Sequence, residues 1–271
     1  MRNKKNRKKN IIVISITAIA VVTFSLYLID RFSYSKILPF YSVAADTDSS
    51  LTIGILGASW VAEGKMDTVL RNAMLKKGFN SRIISAGQPG AASKVIYQNL
   101  FKEKDKLNSS KYVIETRPGY CIVIGGVNDA VSQLGGKFYA YHTIQIVKTL
   151  LHYNITPVVI SLPEFGIIES TNDLNFFSKY RNIISAYFNN HGETDNIKAY
   201  RKIFEQALAS ENLKDSIVLI DFDKVCADYN KCPDLYANSS HLSKKGNELF
   251  CETIATGIAN KIKERLLQKA F

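Results

Sequence analysis

The 271-residue chain has four cysteines, four histidines and one tryptophan, which leaves little material for several kinds of chemistry. No cysteine–histidine cluster has metal-site spacing, so neither a metal nor a cofactor is expected. A chain of this length buries enough core to fold without disulfide staples. Cys226 and Cys232 stand in a loop-like stretch rich in Asn and Asp, with five residues between them. They can pair in an oxidising compartment or remain two thiols, because geometry decides and spacing does not. Cys121, in an apolar run, and Cys251, in a helical stretch, read as packing residues. No internal repeat and no second globular domain is visible. Acidic residues are outnumbered, 24 against 35 Lys and Arg, for a net charge of +11. Six of the positive charges (Arg2, Lys4, Lys5, Arg7, Lys8 and Lys9) fall in the first ten residues, which leaves +5 for all the rest. That remainder forms no basic face and carries no nucleic-acid signature, so nucleic acid is not an expected partner.

The basic cluster has another reading. Residues 1–10 are followed by 11–29, nineteen residues without a charge, and then by Asp30 and Arg31. As a helix this run would be about 28 Å long, close to the ~30 Å hydrocarbon core of a bilayer. Basic residues before the run and few after it predict a cytoplasmic N-terminus, a single-pass anchor in the cell membrane and an extracytoplasmic body. A cleaved signal peptide is the competing reading, with Ser42-Val43-Ala44 or Val43-Ala44-Ala45 as the small-residue site. Those triplets lie well past a run that is itself long for a signal core, so the anchor is favoured.

Residues 30–50 read as a polar, aromatic linker, and 51–271 as the globular body. Apolar runs predict strands at 51–56, 81–85, 120–124, 156–161 and 217–221. Helical periodicity predicts helices at 61–77, 91–101, 138–153, 173–188, 196–210 and 243–268, the last capped by Ser243. The stretch 102–118 reads as a mainly polar connection. Alternating strands and helices imply a flavodoxin-like three-layer α/β/α sandwich around a five-stranded parallel sheet. Polar turns at Ser59, Gly90, Asn128 and Pro163 follow strands, so topology should gather them at one edge.

That edge would hold the parts acyl transfer needs: a nucleophile, a base and donors for a developing oxyanion. Ser59, just past the first strand, is the candidate nucleophile, and His241 is the candidate base. The Ser59 and Gly90 backbone N–H groups and the Asn128 side-chain amide are the candidate oxyanion donors. His142, His152 and His191 are not expected to act. Asp129 should hold the Asn128 loop in shape, and Trp60 could line the site or pack as core.

In this order these residues resemble the SGNH hydrolases, the GDSL-like esterases and lipases. Gly57-Ala58-Ser59 is similar to the first block of that family, Gly90 to the glycine of the second, and Gly126-Val127-Asn128-Asp129 to Gly-x-Asn-Asp of the third. Asn238-x-x-His241 stands where the family has Asp-x-x-His. Val61 occupies the place of the second glycine in a Gly-x-Ser-x-Gly elbow, so the α/β-hydrolase motif is absent. Two departures stand out: Ala58 replaces a supporting Asp, and Asn238 replaces the acid that orients the histidine. Asn brings an acceptor oxygen without charge, and the same replacement in a serine-protease triad costs roughly 10⁴ in rate. Asp234 and Glu164 are alternative sources of a carboxylate. The resemblance implies a serine esterase or O-acyltransferase with Ser59, His241 and Asn238 as its catalytic set. The segment His241-Leu242-Ser243-x-x-Gly246 also resembles the end of the teichoic acid D-alanylation protein and of alginate-type O-acetylation proteins. An acylated cell-envelope glycan is therefore the expected substrate. Long-chain lipase activity is not expected, as no apolar lid segment is evident. A degenerate site on a glycan-binding or assembly factor is the alternative.

Overall fold

A computed structural model describes residues 2–43, 51–63 and 65–269. The chain forms two units, Met1–Ser35 and Lys36–Phe271. The first is essentially one helix, α1 (Arg2–Phe32), in which Ile12–Phe32 is long and apolar enough to cross a membrane.

The second unit alternates strand and helix. Its elements in order are β1 (Leu51–Gly57), α2 (Ser59–Glu63), α3 (Met66–Lys76), β2 (Ser81–Gly87), α4 (Ser93–Asn99) and α5 (Lys111–Glu115). Then come β3 (Tyr120–Ile124), α6 (Val127–Val131), α7 (Gly136–His152), β4 (Thr156–Ile160), α8 (Ile167–Asn172), α9 (Phe176–Asn189) and α10 (Ile197–Ser210). Last are β5 (Val218–Ile220), β6 (Tyr236–Asn238), β7 (His241–Leu242) and α11 (Lys244–Lys269). The first five strands form one parallel sheet in the order β2-β1-β3-β4-β5, the flavodoxin-like arrangement expected. Strands β1, β3 and β4 are buried almost throughout because helices cover both faces, which is why they read as continuous apolar runs. On one face Met66, Leu70 and Met74 of α3 pack with Phe250, Ile254 and Ile258 of α11. On the other, α4 and α7 contribute Ile96, Tyr97, Ile146 and Leu150, and α10 adds Tyr200, Phe204 and Leu208 against α7.

Local structure departs from expectation at definite points. The helix expected over 61–77 is two, because Lys65 takes a left-handed backbone (φ 49°) that breaks the hydrogen-bond ladder. The helix expected over 173–188 is α9, which starts at Phe176 because the Asn175 side chain accepts the Ser178 N–H at 3.0 Å, and α8 (Ile167–Asn172) precedes it as an additional short helix. Residues 102–118 include α5, whose Val113 and Ile114 are fully buried. The linker expected over 30–50 starts later than expected and is held to the body in its middle. α1 runs to Phe32, and residues 36–43 are bound to the body. The Leu38 N–H donates to the Tyr97 hydroxyl, the Tyr41 N–H to the Tyr153 hydroxyl, and Phe40 stacks on His152. The Tyr41 hydroxyl in turn donates to the Leu100 carbonyl, so the aromatic residues of this stretch are anchors. The remaining linker residues, 44–50, lie outside the described residues.

Candidate active site

The β1/β3 boundary is where strand order reverses, and an open α/β sheet binds ligands beyond the strand ends at such a point. Gly57 ends β1 opposite Ile124, the end of β3. A Cβ on Gly57 would strike the Val61 side chain and come within 2.8 Å of the Ile124 carbonyl oxygen. Only glycine lets β1, the first turn of α2 and β3 approach this closely. The chain then turns sharply, with the Ala58 carbonyl accepting the N–H groups of Val61 and Ala62. Ser59 emerges half-buried at the strand end. Ala58 itself lies in an apolar cluster with Ala86 and Ala91.

His241 arrives from 182 residues away on a hairpin that sequence periodicity does not reveal. Strands β6 and β7 pair antiparallel, with Asn238 opposite His241. The hairpin is held from three sides. The Trp60 indole N–H donates to the Ser240 carbonyl at 2.6 Å. The Gly166 N–H donates to the Ser239 carbonyl at 2.7 Å, and the Ser170 hydroxyl donates to that of Ser239 at 2.9 Å. From below, Ser243 caps α11 as expected: its oxygen accepts the Gly246 N–H, and its hydroxyl donates to the Asp234 carbonyl.

The outcome is a line of three side chains. His241 Nε2 lies 3.0 Å from Ser59 Oγ, and His241 Nδ1 lies 3.0 Å from Asn238 Oδ1. Asn238 Oδ1 also accepts the backbone N–H groups of Ser240 at 3.0 Å and His241 at 2.9 Å. Two backbone donors pointing at one amide atom identify that atom as oxygen. An oxygen facing Nδ1 requires Nδ1 to carry the proton, so Nε2 is free to accept the Ser59 hydroxyl hydrogen. Asn238 therefore fixes the ring orientation and tautomer, as an Asp would, without the negative charge. The Ser240 hydroxyl stands 3.3 Å from Nδ1 as a second neighbour.

Neither alternative carboxylate reaches the imidazole. Asp234 pairs with Lys245 at 3.3 Å. Glu164 pairs with Arg201 at 2.9 Å, and Arg201 also contacts Asp223 at 3.1 Å. Burial raises the Glu164 carboxyl above its ordinary range, and Arg201 partly offsets that.

Asn128 lies in the first turn of α6 and donates one amide N–H to the Ala91 carbonyl at 3.0 Å. Its second amide N–H is left for a ligand in the cleft it shares with Ser59. Asp129 is fully buried and accepts both the backbone N–H (2.8 Å) and the hydroxyl (2.6 Å) of Ser93. It thereby ties the Asn128 loop to the start of α4, the role expected of it. Gly90, exposed with φ +73°, precedes Ala91 and so belongs to the same corner. It lines neither of the two clefts that meet at Ser59 and His241. One cleft, about 650 Å³, runs along Trp60, Lys65, Val69 and the first turn of α11. The other, about 300 Å³, is bounded by Asn128, Val131, Ser170, Asp173 and Leu174. Trp60 meets both expectations, being 6% exposed and packed edge-on against Phe250 while still edging the larger cleft. Sequence reading missed its indole N–H and the Ser170 contact, both of which position the histidine hairpin.

Elsewhere Cys226 and Cys232 form a disulfide, and Cys121 and Cys251 are buried free thiols. Among the described residues no group of three or more His, Cys, Asp or Glu is arranged to hold a metal ion.

Neither a family model nor a curated protein matches the sequence. Solved structures do. A lipase/acylhydrolase from Enterococcus faecalis is 18% identical, with a TM-score of 0.57 over 78% of this chain and 96% of its own. An acetyl xylan esterase is 17% identical, with a TM-score of 0.55 over 76% and 99%. A GDSL-like lipase from Bacteroides thetaiotaomicron is 11% identical, with a TM-score of 0.54 over 81% and 93%. At these identities the likeness is one of fold, and the fold of this chain is that of the SGNH hydrolases.

Proposed function

We propose that this protein is a membrane-anchored, extracytoplasmic serine esterase or O-acyltransferase. The observation that carries the reading is the 3.0 Å approach of Ser59 Oγ to a His241 nitrogen held unprotonated by Asn238. Ser59 Oγ attacks the ester carbonyl while His241 Nε2 takes its proton. The oxyanion of the tetrahedral intermediate is received by the second Asn128 amide N–H and the Ser59 backbone N–H, one such donor being worth about 3 kcal/mol, while Gly90, outside both clefts, is not counted among the donors. The imidazolium returns its proton to the leaving alcohol, and an acyl-serine remains. Water, activated by the same nitrogen, resolves it in an esterase, and a sugar hydroxyl does so in a transferase. The clefts on either side of Ser59, lined in part by Asn128, Ser170, Asn238 and Asn247, suit an acylated glycan, with an O-acetyl group as the transferred unit.

Three features support the address. An apolar helix of membrane-spanning length follows a basic N-terminus. A disulfide is at home outside the reducing cytoplasm. Residues 36–43 are bound to the body, past the end of that helix.

A second reading, a glycan-binding or assembly factor with an idle site, is favoured by one observation: Asn238 supplies no charge to the imidazolium. Full-length protein in detergent, treated with a fluorophosphonate probe and p-nitrophenyl acetate, separates the two. The esterase reading expects labelling that vanishes in Ser59→Ala and falls at least 100-fold in His241→Ala, as removal of a general base does. Folded protein that takes no label and hydrolyses nothing, yet still binds acylated glycan, would instead establish the binding factor.

A further inference from the structure

Helix α9 is built inside out. The side chains it buries against the body are Asn182, Ser185 and Ala186, and three asparagine amides, one of them from the exposed Asn189, fasten its C-terminal half. Asn182 donates to the Val131 carbonyl at 2.6 Å, Asn189 to the Gln133 carbonyl at 3.0 Å, and Asn190 to Gln133 Oε1 at 2.7 Å. Its outward side carries Phe176, Phe177, Tyr180, Ile183, Ile184, Tyr187 and Phe188, all exposed, with Phe177 at 83% and Phe188 at 77%. At 3.6 residues per turn these seven fall within an arc of about 140°. Their rings touch one another, as Phe176 does Tyr180 with centroids 4.5 Å apart. The patch is on the order of 800 Å² from typical side-chain areas, beyond what a soluble monomer exposes without a use for it.

The charges choose the occupant. Between 176 and 189 there is no acidic residue, and the two charged side chains, Lys179 and Arg181, fall on the two borders of the apolar arc. Aromatic and aliphatic residues between flanking cations are the composition of a helix lying in a membrane interface: the arc enters the acyl boundary, and the cations rise to anionic headgroups. The same chain carries a helix of membrane-spanning length, so a bilayer is at hand. We infer that the outward face of α9 is a second membrane contact, docking the body onto an anionic bilayer surface.

The consequence bears on the proposed reaction. Asp173 and Leu174, immediately before α9, form one wall of the 300 Å³ cleft at Ser59. With α9 in the interface, that cleft opens at headgroup depth. If the esterase reading holds, the ester that reaches Ser59 there belongs to a lipid-linked or surface-bound molecule.

The test uses the full chain at one copy per lipid nanodisc, so a second copy cannot cover the patch. Trp60, the one native tryptophan, is buried and gives the baseline. Tyr187→Trp, at a site 72% exposed, adds a reporter on the face, and Leu107→Trp, at a site 84% exposed and away from α9, is the control. In discs with one-third phosphatidylglycerol, the added Tyr187→Trp emission should shift to the blue. Brominated lipids should quench it at least twofold more than the Leu107→Trp emission. Lys179→Glu with Arg181→Glu, or neutral lipid alone, should remove most of that difference. Solvent-like, unquenched emission from Tyr187→Trp overturns the proposal. So does a blue shift without bromolipid quenching, which would mean that protein and not lipid covers the face. No substrate is present, so failure here leaves the esterase reading standing, and an inactive enzyme would leave this result standing.

Discussion

Asn238 Oδ1 faces His241 Nδ1 at 3.0 Å while already accepting two backbone N–H groups. The amide oxygen sets the imidazole in place but offers a shared, uncharged acceptor to the imidazolium that forms during reaction. The charge is the missing part, and the geometry is complete without it. Asn238→Asp should therefore raise kcat/KM on a soluble ester about tenfold or more, short of the ~10⁴ seen in a buried protease triad because this site is exposed to screening water. Asn238→Ala should lower it by a similar factor through loss of orientation. Steady-state kinetics on both variants decide the matter. An Asn238→Asp variant no faster than the parent would mean that the imidazolium is stabilised elsewhere.

Trp60 holds the other side of the same hairpin. Its ring packs on Phe250 with centroids 5.3 Å apart, and its N–H reaches the Ser240 carbonyl. Trp60→Phe keeps most of the packing and removes the donor. The variant should lose about 1 kcal/mol of stability, the net value of one hydrogen bond. Its kcat should fall several-fold with KM nearly unchanged, because the nucleophile–base distance loosens and the clefts do not. Equal loss of stability with an unaltered kcat would show that Trp60 is packing only.

The sheet was legible because its strands are doubly buried: the apolar runs ending near Leu56, Ile124 and Ile160 cannot be confused with amphipathic surface. Ser59 and His241 were legible only through motif resemblance, since nothing in a spacing of 182 residues predicts a 3.0 Å contact. The β6–β7 hairpin was invisible, three residues paired with two being too short for any period. Residues 36–43 looked like linker because tyrosine and phenylalanine in a polar setting give no periodicity, although Tyr41 is bonded through both its N–H and its hydroxyl. Helix α9 was found as a helix, but an apolar stripe reads as core, and here the asparagines take the inner side.

Gly246 separates two opposing effects. An alanine there would be the better helix former by about 1 kcal/mol. Its Cβ, however, would fall onto the Leu235 carbonyl oxygen, where α11 meets the start of β6. Both groups are backbone, so no side chain can swing aside, and overpacking of this kind costs about 1–3 kcal/mol. Gly246→Ala should thus be destabilised on balance, by up to about 2 kcal/mol in urea unfolding. Activity should fall further than stability explains, because His241 lies between Leu235 and the α11 cap. A stabilised variant with full activity would show that the two backbones separate freely.

His142 makes the fold sensitive to acid independently of the catalytic histidine. It is fully buried on α7, its Nδ1–H donating to the Phe138 carbonyl at 2.8 Å. Burial lowers its pKa from 6.5 to about 4, opposed by the bond to the Phe138 carbonyl and aided by the nearby Lys94. Between those two values the unfolded chain takes up a proton that the folded chain refuses. Unfolding free energy should therefore fall as pH drops below about 6.5 and level off near pH 4, by about 3 kcal/mol at most. The raised carboxyl of Glu164 acts in the opposite sense, stabilising at low pH, so the parent's pH curve alone mixes the two. His142→Gln, which keeps a donor near Phe138 and has no charge to gain, isolates the effect. Urea titrations at pH 7 and pH 4.5 should show a smaller drop for the variant than for the parent. Equal drops would mean that His142 becomes charged without cost in the folded protein.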